Sequence, residues 1–119
     1  MHGPESQLAS ALNARQSSAA NSIFDSYREF FADQALECVT HLRAGDGPFS
    51  TTLAGKSLAF AREKRAPAVI SNAVRMLDRR DGPVADVLDA VRNLTPLSNR
   101  TVERSNSEGF LKSGQEMRA

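Results

Sequence analysis

Along most of this chain apolar residues recur with a period near 3.6 rather than 2, and no stretch alternates as a half-exposed strand does. Three breaks divide the pattern: Gly45-Asp46-Gly47-Pro48, Ala66-Pro67 and Asp81-Gly82-Pro83. Each joins residues that stop helices to a Pro suited to the first turn of the next one. The pattern predicts an all-α fold, a small bundle of about four helices. It places a single helical domain over residues 1–97 and a flexible polar tail over 98–119.

The first predicted helix is the longest, running from about Asn21 to Arg43. Ile23, Phe24, Tyr27, Phe30, Phe31, Ala35, Cys38, Val39 and Leu42 fall on one side of it. At the helical period they cover an arc of roughly 180°, wider than the ~100° stripe that one packed neighbour needs. Upstream, Glu5 to Arg15 carries Leu8, Ala11 and Leu12 at helical spacing, with Gln16-Ser17-Ser18 as a weak point. A second helix is expected from Thr51 or Thr52 to Arg65, with Leu53, Leu58, Phe60 and Ala61 as its apolar side. A third spans Pro67 to Arg80, with Val69, Ile70, Ala73, Val74 and Leu77 turned inward. The fourth spans Pro83 to Leu94, and Val84, Val87, Leu88, Val91 and Leu94 form its stripe. Beyond Thr95 the pattern dissolves into Ser, Asn and Gly, with Phe110-Leu111 as the one apolar knot.

Composition narrows the function. The chain has 119 residues, enough for one modest core. Its net charge of +1 argues against a purely electrostatic nucleic-acid binder. The charge is nonetheless blocked. Residues 45–80 hold seven basic and three acidic residues, against three and five in residues 1–44. Cys38 is the only cysteine, so no internal disulfide forms and an oxidising compartment is not required. Met-His-Gly-Pro-Glu is unlike a signal peptide, and no apolar run spans a membrane. A cytoplasmic location is expected.

Catalytic chemistry finds little purchase. Gly55-Lys56-Ser57 looks like the end of a phosphate-binding loop, but Ser50 stands where the motif needs Gly, and no preceding strand is predicted. Cys38 and His41 are three apart on the first predicted helix, yet a metal wants three or four ligands. Two His residues and scattered serines assemble no nucleophile–base–orienter set. The sequence therefore predicts no enzyme, no cofactor and no metal.

What remains is binding. Asp25, Glu29, Asp33 and Glu37 are spaced by four and form an acidic stripe on the predicted helix. That stripe is either a solvated face or a docking rim. Arg62, Lys64, Arg65, Arg75, Arg79 and Arg80 gather in the predicted second and third helices, and Arg75 and Arg79 are candidates to dock on the stripe. The surplus apolar arc marks Ile23, Phe24, Tyr27, Phe30, Phe31 and Val39 as candidate partner or dimer contacts, because aromatic residues dominate interface cores. The expected function is a non-enzymatic regulator that binds another protein, a transcription factor among the candidates, with homodimerisation expected. The small helical class suggests, by analogy, a bacterial inhibitor, antiactivator or adaptor that occludes its partner's surface. The alternative is a small DNA-associated regulator using the basic cluster in residues 56–80.

Overall fold

A computed structural model describes residues 1–97 and 106–118. Its elements are α1 (Gln7–Asn13), α2 (Ser17–Arg28), β1 (Leu36–Val39), α3 (Thr51–Lys64), β2 (Ala68–Ser71), a 3-10 turn (Arg79–Asp81) and α4 (Gly82–Arg92). The chain divides into two compact units, Met1–Ser71 and Asn72–Ala119.

The first unit is a helical pair followed by a β–α–β crossover. Ser6 caps α1, its Oγ accepting the Ala9 N–H, and Arg15 turns the chain into α2 with a φ of 57°. β1 and β2 pair in parallel, Leu36 opposite Ala68 through Val39 opposite Ser71. Parallel strands need a long crossover, and α3 supplies it. Ser50 caps α3 at the Leu53 N–H, and Arg65 closes the helix in the left-handed region at φ 51°. A segment before α1 lies along the other edge of β1. There the His2 N–H donates to the Ala35 carbonyl and the Glu37 N–H donates to the His2 carbonyl, both at 2.9 Å. The core gathers Leu8, Ala11, Ala20, Phe24, Leu36, Phe60 and Ala61, so every helix of the unit and β1 contribute. Phe24 meets Phe60 edge to face at 5.6 Å, a preferred geometry for buried rings.

The all-α expectation is thus wrong: the fold is mixed, with four α-helices and a two-stranded parallel sheet among the described residues. The predicted helix over Asn21–Arg43 stops at Arg28, and β1 takes up Leu36–Val39 within its second half. Ala35, Cys38, Val39 and Leu42 have helical spacing, but a short buried strand shows the same apolar run. The predicted helix over Pro67–Arg80 is likewise absent. Pro67 precedes β2, whose Val69 and Ile70 are β-branched and suit extended backbone. By contrast α3 spans Thr51–Lys64, close to its predicted bounds.

In the second unit, Asn72 is buried and its Nδ2 donates to the carbonyls of Glu108 (2.9 Å) and Phe110 (2.6 Å). The Arg75 N–H bonds the Gly109 carbonyl, and the Leu111 N–H bonds that of Met76. Arg79 and Lys112 converge on the Glu108 carboxylate at 2.9 and 3.0 Å. Of the segment expected to be a tail, residues 98–105 and 119 lie outside the described residues. α4 buries Gly82, Ala85 and Ala90 rather than its predicted stripe; Val84, Val87, Leu88 and Val91 stand exposed. No described helix is long and apolar enough to cross a membrane.

Candidate partner-binding surface

The end of α2 organises the most distinctive surface of the first unit. Ile23, Phe24 and Tyr27 follow helical spacing, so they project from neighbouring parts of α2. Beyond Arg28 the N–H groups of Phe30 and Phe31 both turn back to the Tyr27 carbonyl, at 3.2 and 2.9 Å. This closing turn carries the chain off the core before it extends toward β1. Phe24 is therefore buried, at 2% exposure, while Phe30 is 79% exposed. Tyr27 and Phe31 are also exposed, and their rings stack at 6.3 Å.

His2 and Gln34 frame this aromatic group. The His2 ring lies edge-on to Tyr27 at 5.0 Å, and its Nε2 hydrogen-bonds Gln34 Oε1 at 2.8 Å. Buried Gln34 donates through Nε2 to the Phe24 carbonyl, which pins the loop to the helix. A cavity of about 300 Å³ results, lined by Met1, His2, Ser6, Tyr27, Phe31, Asp33 and Gln34. A shallower hollow of about 230 Å³ lies among Ser26, Tyr27, Phe30 and Phe31.

Of the residues predicted as contacts, Tyr27, Phe30 and Phe31 come together at the surface. Ile23 is half-buried against the core, and Phe24 and Val39 lie inside the protein. The acidic stripe is broken up. Asp25 on α2 faces Lys64 at 3.8 Å, Glu29 sits at the helix end, Asp33 lies in the loop, and Glu37 on β1 hydrogen-bonds the Ser71 hydroxyl. Arg75 and Arg79 belong to the second unit. They pair within the second unit, Arg75 with both oxygens of Asp89 and Arg79 with Glu108. His2 and Gln34 carried no sequence signal, because their roles arise only when the loop folds back on α2.

The sequence matches no protein-family model and no curated protein. The surface must therefore be judged on its own chemistry.

Among the described residues no group of three or more His, Cys, Asp or Glu side chains could hold a metal. Cys38 is buried, and burial, reinforced by the Glu37 charge, raises its thiol pKa and keeps it protonated and unreactive. His41 is buried and stacks on Phe49 at 4.8 Å. A strand does precede the Gly55-Lys56-Ser57 triplet, contrary to expectation, but the triplet sits inside α3 rather than at its start. Lys56 Nζ instead bonds the Asn13 carbonyl and Asn13 Oδ1, both at 3.2 Å, tying α3 to the end of α1. Of the basic cluster, Lys64, Arg75, Arg79 and Arg80 each have a carboxylate within 4 Å.

Proposed function

We propose that this chain is a non-enzymatic regulator that binds a protein through the aromatic end of α2. The supporting observation is the separation of Phe24 from Phe30: one helix end anchors the core and holds three aromatic rings outside it. Clustered exposed aromatics on a rigid element are the usual make-up of an interface hot spot. A neighbouring cavity gives a partner's side chain somewhere to enter. Within this reading the partner is another protein, a transcription factor among the candidates, or a second copy of the chain. The action is occlusion, as by an inhibitor or antiactivator, in the cytoplasm. The DNA reading has weaker support, since four cations of the basic cluster are already paired.

Phe30→Ala tests the proposal. The wild type is expected to self-associate in sedimentation velocity, or to retain a protein that the immobilised variant does not. A hot-spot aromatic contributes roughly 2–4 kcal/mol to association. The variant should keep its circular dichroism spectrum. A wild type that stays monomeric at high concentration and retains the same proteins as Phe30→Ala rules the proposal out.

A further inference from the structure

We propose that the cavity beside Tyr27 and Phe31 receives the guanidinium group of an arginine carried by the partner, with Asp33 as its counter-ion. The inference rests on the protein-binding reading and adds the chemistry of the bound segment.

Three observations carry it. First, three aromatic rings line the cavity, those of Tyr27, Phe31 and His2, and aromatic rings carry electron-rich faces. Such faces attract cations, and a planar guanidinium stacks on them better than an ammonium does. Second, Asp33 lines the cavity, is exposed, and makes no ion pair among the described residues. Glu29, also exposed and without an ion pair among them, lies at the negative end of the α2 dipole. Third, the volume of about 300 Å³ falls at the lower end of ligand pockets, which suits one long side chain. A separate cavity of about 170 Å³ also includes Asp33 and Gln34, but Arg28, Lys64 and Arg65 line it and repel a cation there.

The probes are two fluorescein-labelled amphipathic peptides, one of Leu and Arg and one with every Arg replaced by Gln. Fluorescence anisotropy at physiological ionic strength measures both against the full chain. The Arg peptide is expected to bind about tenfold more tightly, the combined effect of an exposed cation–π contact and a surface ion pair. Asp33→Asn should cut that preference to about threefold, the part left by the cation–π contact, while leaving the Gln peptide unaffected, and Glu29→Gln should change it little. Equal affinity for the two peptides overturns the inference. So does an equal loss in Glu29→Gln and Asp33→Asn, which would mark diffuse attraction, and so does the absence of binding by either peptide. Phe30→Ala separates the two proposals. If it weakens both peptides while Arg and Gln bind alike, the binding surface stands and the arginine pocket falls. If the Asp33-dependent preference survives with Phe30→Ala silent, the pocket stands and the broader surface falls.

Discussion

Two phenylalanines six residues apart give the sharpest test of this structure. Phe24 is 2% exposed and packs in the cluster that joins α1, α2, β1 and α3. Its ring meets Phe60 at 5.6 Å and the His2 ring at 5.9 Å. Truncation to Ala removes the buried ring and leaves a cavity, which costs about 3–5 kcal/mol. The edge-to-face pair with Phe60 accounts for roughly 0.5–1.5 kcal/mol of that. Against a total stability of about 5–15 kcal/mol, and nearer the low end for so small a core, Phe24→Ala should be largely unfolded or barely stable. Phe30 is 79% exposed, so its truncation should change stability by no more than about 0.5 kcal/mol. Urea titration followed by circular dichroism at the helical band reads both variants on one scale. Comparable losses in the two would refute the assignment, because they would place Phe30 in the core as well. A Phe24→Ala loss below about 1 kcal/mol would show that the cluster is not the core.

Two further outcomes follow from single residues. Cys38 has a raised thiol pKa, so the unfolded chain releases that proton at a lower pH than the folded one. Its contribution is fully present below the ordinary thiol value of about 8.5 and fades as pH rises through the folded value. Urea midpoints should therefore fall on the alkaline side for wild type and less for Cys38→Ala, and an equal fall in both would contradict this. Lys56→Met removes the cation that satisfies the carbonyl and side chain of Asn13. A loss of about 1–2 kcal/mol is expected in the same titration, with no change in response to added ATP, and a neutral effect would show that the α1–α3 tie contributes nothing.

Sequence periodicity located α3 because that helix is long, capped by Ser50 and half-apolar throughout. It failed where strands are short. Leu36–Val39 and Ala68–Ser71 each offer only four residues, and each joins a flanking run whose spacing imitates a helix. Nothing in Glu29-Phe30-Phe31 announces the end of α2, since neither Gly nor Pro occurs there. The apolar residues of the candidate surface were legible as an excess over what one neighbour covers. Their partition was not: Phe24 and Phe30 look alike in the sequence, and only the turn after Arg28 sends one inward and the other out. In α4 the period was read correctly and its direction was not, because Ala85 and Ala90 pack inward while the larger Val and Leu side chains face out.

β1 is bordered by His2 on one edge and by β2 on the other. Its bridges join residue 2 to 36 and residue 36 to 68, spans of 34 and 32 positions. Closing a loop of that length costs roughly 3 kcal/mol before any ladder bond forms. The helices, whose contacts are local, can form within microseconds, whereas β1 must wait for both distant segments to arrive. The rate-limiting step of folding should then be the docking of this strand. Slowing either arrival, by loosening the turn at Arg65 or the segment before α1, would lengthen the interval in which an unpaired apolar strand is open to pairing with other chains.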